Sequence, residues 1–360
     1  MTNPLYELIT REAAQHPLTV ARFMEWALQH PEHGYYRQGQ PLGAAGDFIT
    51  APEISQIFGE LIGLWCVDVW WQMGQPPAFT LLELGPGRGT LMVDVLRAAA
   101  KQPKFLSAMQ LVLYETNSDF RALQSAKLGG YNPVWRDDLL DLPAVPTIII
   151  ANEFFDALPV RQFMRRANGW VERCIGVAEG KLGWVDVPLT PLQKQMLTVE
   201  QQALPQNATV EICLPALDIM RQCAGNIVRY GGALLTFDYG YLVPDGHPTF
   251  QAVARHAAAD PLAAPGAADL TAHVDFAALE RAALAAGATV WDVQEQGAFL
   301  QSLGLAQRAA QLVARMDEDG KAALAAACHR LTAPEAMGKL FKVLCVTGSD
   351  ALIPAGWSVS

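Results

Sequence analysis

Positive charge is the scarcest property of this chain: across 360 residues, 26 lysines and arginines stand against 36 aspartates and glutamates, a formal net charge of -10. That balance argues against a nucleic-acid partner, since phosphate backbones are gripped by clustered basic side chains. Cysteine is also sparse. Cys66, Cys174, Cys213, Cys223, Cys328 and Cys345 include no CxxC pair and mostly sit in apolar runs, the usage of a small hydrophobe in a reducing cytosol. The seven histidines form neither HExxH nor any helical-face pairing with a cysteine or carboxylate, so no structural metal is expected. No uninterrupted apolar stretch approaches bilayer-spanning length, and the opening MTNPLYELITREAAQ carries two acids and no apolar core before a cleavage site. Membrane insertion and a secretory signal are therefore not expected. No internal repeat is visible. With 51% hydrophobic residues the chain is globular, long enough for one large α/β domain with additions or for two modest domains.

What the chain does carry is Glu83-Leu84-Gly85-Pro86-Gly87-Arg88-Gly89-Thr90 directly after the apolar run Phe79 to Leu82, which reads as strand, glycine turn and helix. Glycines at such a turn remove the Cβ atoms that hold a ligand off the backbone, and the helix start offers unpaired N–H groups. A nucleoside-bearing cofactor is expected here, held by Glu83, Gly85, Pro86, Gly87 and Gly89. A dinucleotide fingerprint would place its glycines as GxGxxG, with an acid about 20 residues on. Here the third glycine comes one position early, and Glu115 lies later than that spacing. The ExGxGxG form resembles motif I of the S-adenosylmethionine-dependent methyltransferases, where no pyrophosphate needs neutralising and the acid can face the cofactor's cationic amino group. A tight chain reversal is the plainer reading of a lone GxGxG, so the rest of the chain must decide.

Ahead of the turn, Val20 to His30 has Phe23, Trp26 and Ala27 on one helical face and is stopped by His30-Pro31-Glu32-His33-Gly34. Thr50-Ala51-Pro52-Glu53 reads as a capping box with proline in the first turn, opening a helix through Ile54, Ile57, Phe58, Leu61, Ile62, Trp65 and Val69. From Phe79 short apolar strands alternate with helices, the pattern of a parallel sheet covered on both faces. Strands are expected at 80–84, 110–114, 133–135, 147–151, 233–237, 289–293 and 341–347. That makes seven, against six in a dinucleotide fold. Domain bounds follow: an N-terminal helical and lid region over 1–77, a core over 78–158 and 206–297, a β-hairpin insertion over 159–205, a helical insertion over 298–338, and a last strand with tail over 339–360.

In an open α/β sheet the ligand lies beyond the carboxyl ends of the strands, where strand order reverses. Glu115, closing the second strand, can accept both hydroxyls of a ribose. Asp137-Asp138-Leu139 follows the third. A carboxylate there can accept from adenine's exocyclic amine; Asp138 has the better register, and a turn aspartate is the alternative. Leu139 and Asn152 complete the expected cofactor contacts. Strand four runs from Ile148 to Ile150 into Asn152-Glu153-Phe154-Phe155-Asp156, placing two carboxylates around two phenylalanines at the mouth of a buried strand, where desolvation must be compensated. The phenylalanines are either core or walls for a planar cation. The glycine-rich stretch containing Asp47 is either a surface connection or a lid. Asp238-Tyr239-Gly240 closes strand five, and Asp275 reads as a helix cap.

GYY, GDFITAPEISQIFGELIG, LLELGPGRGTLM, NEFFDALPVRQF, FDYG and DLTAHVDF together resemble the MidA family of methyltransferases, over nearly the whole chain. The resemblance implies an α/β, Rossmann-like class I methyltransferase fold with a seven-stranded sheet, S-adenosyl-L-methionine as cofactor, and a protein substrate. For the family's mitochondrial member it implies symmetric dimethylation of an arginine in a subunit of respiratory complex I. Without an arginine-rich presequence, the chain resembles a bacterial cytoplasmic member. Guanidinium is a poor nucleophile that stays protonated, so carboxylates must localise its charge and take its proton. Glu153 is the first candidate, Asp156 the second, and Asp47 a contributor from the lid. A small-molecule methyltransferase and a cofactor-binding assembly chaperone without activity are the rival functions.

Overall fold

Every residue of β1 (Phe79–Leu84) is buried, which a strand achieves only with neighbours on both sides and helices over both faces. The computed structural model describes residues 3–37, 50–254 and 257–358, and in it β1 is an interior strand of such a sheet. It pairs in parallel with β2 (Met109–Tyr114), which pairs with β3 (Val134–Arg136); on the other side it pairs with β4 (Thr147–Asn152). Beyond β4 comes β5 (Gly232–Tyr241), again parallel. The late strands β6 (Thr289–Glu295) and β7 (Phe341–Thr347) pair with each other, and β7 runs antiparallel between β5 and β6. The path is β6-β7-β5-β4-β1-β2-β3, so strand order reverses between β1 and β4. All seven segments expected as strands lie on it. Among the described residues the sheet counts eight strands; the additional one spans two residues, too short to leave a periodic signal.

Helix α1 (Gln56–Gln72) covers this sheet together with α2 (Thr90–Ala99), and their apolar faces join Phe79, Phe237, Phe299 and Val343 in one core. The expected capping box at Thr50 and Glu53 does not form. Thr50 makes no side-chain cap, the helix breaks after Ile54, and Ser55 caps α1 by accepting from the Ile57 N–H. Glu53 is spent elsewhere, on the Thr90 hydroxyl. Buried Glu60 on α1 accepts from Arg97 Nε (3.3 Å) on α2 and from Arg308 Nε (2.8 Å) on the helix Leu305–Val313. A buried carboxylate with two cationic partners is satisfied, and it fixes one of the helices between β6 and β7 to the core.

Two compact units divide the chain: Met1–Phe48, Asp156–Ala216 and Tyr241–Asp275 form one, and Ile49–Phe155, Leu217–Gly240 and Phe276–Ser360 the other, which holds the seven-strand path. The first unit pairs strands Arg161–Arg166, Gly169–Ala178 and Lys181–Pro188 antiparallel, with Thr209–Ile212 beside Arg161–Arg166. Its helices Pro4–Gln15 and Val20–Gln29 pack Leu5, Ile9, Phe23 and Met24 against Ile175 and Leu270. Among the described residues no helix is long and apolar enough to cross a membrane, and no group of three His, Cys, Asp or Glu side chains is placed to hold a metal.

Candidate functional site

After β1 the chain turns through three left-handed glycines, Gly85 (φ +62°), Gly87 (φ +49°) and Gly89 (φ +74°). Each would cost an ordinary residue about 1–2 kcal/mol. At Gly85 space also forbids a side chain, since a Cβ there would lie 2.7 Å from Cδ2 of Phe154. The turn is tied by the Gly85 N–H donating to the Tyr114 carbonyl (3.0 Å) and the Gly89 N–H to that of Pro86 (2.7 Å). Gly89 caps α2 without a side chain, so no cap group covers the N–H groups of the first helical turn.

Glu83 sits in β1 just before the turn and is buried. Its Oε2 has no hydrogen-bond partner among the described residues, and burial, with Glu115 as the second cause, pushes its carboxyl up to about 8. A buried, unsatisfied acid is costly unless something cationic or hydrogen-bonding meets it. The orphaned carboxyl beside a cradle without Cβ atoms fits a ligand bearing an ammonium group. Glu115, closing β2, accepts from the Asn117 N–H (2.8 Å) and from Nε2 of Gln124 (3.3 Å); burial raises its pKa, and these hydrogen bonds oppose the rise. At the end of β3, Asp137 pairs with Arg121. Asp138 is exposed and accepts from the Leu140 N–H (3.0 Å), while Leu139 between them is buried.

At the end of β4, Glu153 takes a left-handed φ of +48°, sparsely populated for a residue with a side chain and a mark of local constraint. Its Oε1 accepts from the Ala51 N–H (2.9 Å) and from Nδ2 of Asn152 (3.2 Å); Oδ1 of Asn152 is buried with no partner among the described residues. Two residues before Glu53, Ala51 thus binds β4, and Glu53 itself accepts from the Thr90 hydroxyl (2.7 Å) at the start of α2. The segment 50–54 is tied at once to both loops that flank the reversal of strand order. Phe154 packs edge-on against Tyr114 and Phe155, with ring centroids 6.0 and 5.2 Å apart, and the Phe155 N–H donates to fully buried Asp238 (3.0 Å).

Glu83, the glycine turn, Glu115, Asp138, Leu139, Asn152 and Glu153 therefore all stand at the carboxyl ends of β1 to β4. Asp156 belongs to the other unit, where its carbonyl accepts from the Ala272 N–H (3.0 Å). There the Tyr36 hydroxyl donates to Asp269 (3.4 Å), and burial followed by the charges of Asp269 and Asp156 raises the Tyr36 pKa. Asp47 lies outside the described residues. Sequence reasoning passed over Gln124, and it read Glu53 only as part of a helix cap and Thr90 only as the end of the glycine turn. Gln124 did leave a trace, a polar residue between Phe120 and Leu128 at four-residue steps on the buried face of α3 (Ser118–Leu128).

This strand order, an antiparallel strand among parallel ones, an acid beside a glycine turn and a carboxylate closing the next strand define a class I S-adenosylmethionine-dependent methyltransferase. Residues 61–294 match the family model Methyltransf_28, an S-adenosyl-L-methionine-dependent methyltransferase family. The chain belongs to this MidA-like family of methyltransferases and uses S-adenosylmethionine as its cofactor. It is 34% identical to zebrafish (Danio rerio) protein arginine methyltransferase NDUFAF7, mitochondrial, over 97% of this chain and 87% of that one. The mouse (Mus musculus) protein of the same name is 36% identical over 95% and 83%. A crystal structure of a Burkholderia thailandensis protein bound to S-adenosyl-homocysteine superposes with a TM-score of 0.83 at 26% identity, covering 98% of this chain and 93% of the other.

Proposed function

We propose that this enzyme methylates an arginine guanidinium of a protein, and that its substrate is a subunit of a respiratory NADH-quinone oxidoreductase, dimethylated symmetrically. The observation carrying this reading is the similarity, over more than nine-tenths of the chain, to proteins named as arginine methyltransferases. The cysteines, all free thiols and several deeply buried, suit a reducing bacterial cytoplasm as its compartment.

When bound, S-adenosylmethionine supplies a methyl group already activated on a sulfonium. The chain's own task is alignment and proton handling. In this reading Glu83 meets the cofactor's ammonium group, the backbone of Gly85, Pro86, Gly87 and Gly89 lines its tail, and Glu115 accepts from the ribose. Asp138 or Asp137 accepts from the adenine amine beside Leu139, and Asn152 contributes from β4. Glu153 draws the guanidinium charge toward one nitrogen and accepts its departing proton. Asp156, three residues on, is the second carboxylate for that work, and Asp47 the third. The test is incubation with labelled cofactor and the purified oxidoreductase, followed by mass spectrometry of its subunits from cells with and without this gene. A gain of two methyl groups on one arginine supports the assignment. An unchanged mass would favour a small-molecule acceptor or an assembly role without methyl transfer.

The role of Glu83 has a pH signature. With its carboxyl near 8 it is mostly protonated in the free protein at neutral pH. An ammonium group against it favours the charged form, so binding the cofactor product S-adenosyl-homocysteine should release a proton below pH 8, and affinity should rise with pH up to about that value. Titration calorimetry at pH 7 in buffers of different ionisation enthalpy measures this directly. A proton balance of zero, unchanged in Glu83→Gln, would place the ammonium elsewhere. The same elevation stabilises the free fold at pH below the ordinary carboxylate range, and that contribution is lost as pH rises through about 8.

A further inference from the structure

The two loops that would hold the cofactor's tail and its ribose in the proposed function are joined by one side chain to which that function gives no role. Gln124 is fully buried on α3, between Phe120 and Leu128. Its Nε2 donates to the Gly87 carbonyl in the glycine turn (2.7 Å) and to Oε2 of Glu115 (3.3 Å), while its Oε1 accepts from the indole N–H of Trp135 on β3 (2.7 Å). Its stem packs beneath Gly89, whose missing Cβ would lie 3.5 Å from the Gln124 Cγ.

We infer that Gln124 is a positioning residue for the cofactor, setting the glycine turn and the ribose carboxylate at a fixed separation, and that Trp135 selects the orientation in which it can do so. A primary amide has two N–H donors on one side and a carbonyl on the other. Turned over, it would set its oxygen against the Gly87 carbonyl and the Glu115 carboxylate, and its NH2 against the indole N–H. All three contacts would become repulsive. The Trp135 indole donates only, so it admits the amide oxygen alone and thereby aims both donors at the cofactor loops. The Gln124 amide itself is fully buried, where a mispaired polar group is most expensive.

The test uses S-adenosyl-homocysteine as probe and the full chain, and needs no methyl acceptor. Gln124→Leu keeps the volume and removes all three hydrogen bonds; its Kd should rise at least about tenfold. Trp135→Phe removes the orienting N–H while keeping an aromatic ring, though a smaller one, and should raise Kd by about three- to tenfold. Because Trp135 acts through Gln124, the double variant should bind no more weakly than Gln124→Leu alone. A purely structural role would not move the pH profile. Here it should move: the Asn117 N–H and then the Gln124 hydrogen bond hold the Glu115 carboxyl down against burial, with the Thr116 N–H and Arg121, itself paired with Asp137, acting in the same direction. Removing the Gln124 bond should make the loss of affinity grow as pH falls. The inference is overturned if the two substitutions multiply, if the weakening is the same at every pH, or if Trp135→Phe binds within about twofold of the parent. Should Gln124→Leu fail to fold, Trp135→Phe decides the question by that last criterion.

Discussion

Glu153→Gln lowers the rate of methyl transfer by about 10²–10⁴-fold, the range that a lost general base commands, and leaves S-adenosyl-homocysteine affinity within about threefold. The substitution is informative because it separates charge from shape. Oε1 of Glu153 already accepts from the Ala51 N–H and from Asn152, and a glutamine carbonyl can accept both. The left-handed backbone at 153 and the tie to segment 50–54 are then preserved, so the missing quantity is the negative charge. Under the proposed arginine reading, the carboxylate first in line to localise the guanidinium charge and take its proton is then neutral. Single-turnover measurement with labelled cofactor reads the chemical step, and calorimetry reads binding. Activity within tenfold of the parent would move the role to another carboxylate, with Asp156 next in line.

Gly85→Ala should weaken S-adenosyl-homocysteine binding by about a hundredfold, close to 3 kcal/mol. Two costs combine. The left-handed φ of +62° charges any L side chain about 1–2 kcal/mol, and the new Cβ would stand 2.7 Å from Phe154. Phe154 cannot yield freely, because Tyr114 and Phe155 pack against it on two sides. The turn must therefore shift toward the space a ligand would use. Gly89→Ala is the control: its φ of +74° carries the same conformational cost, but its Cβ would meet Leu128 at an ordinary 3.4 Å. Binding by Gly89→Ala should fall about tenfold at most. Equal losses in the two variants would mean that the contact with Phe154 plays no part; trimming Phe154 to leucine in the Gly85→Ala background should recover part of the loss.

How far the sequence could be read differs from element to element, for physical reasons. Apolar runs such as 147–151 and 341–347 announce buried strands because a strand covered on both faces has nowhere to put a polar side chain. The β1 turn is equally legible, since a left-handed backbone costs glycine least and three glycines occur at alternate positions. Glu53 is the opposite case. Thr50 and Glu53 have the spacing of a capping box, and that local pattern predicted a bond that does not form, because Thr90 competes for the carboxylate from 37 residues away. The division into two units was equally hidden: residues 1–48 join 156–216 and 241–275 through packing that no linker composition betrays.

By itself, then, the amino-acid order determined the strands, the cofactor turn and the acids closing β1, β2 and β4, since each depends on residues within a few positions of one another. Only tertiary structure decided which polar groups meet at the site and in the core around it. Thr90 with Glu53, Gln124 with Gly87, and Arg308 with Glu60 meet across 37, 37 and 248 residues. Helix and strand periodicities say which face of an element is buried, but carry no information about which distant donor will arrive there, because that depends on how the elements stack once the core has closed.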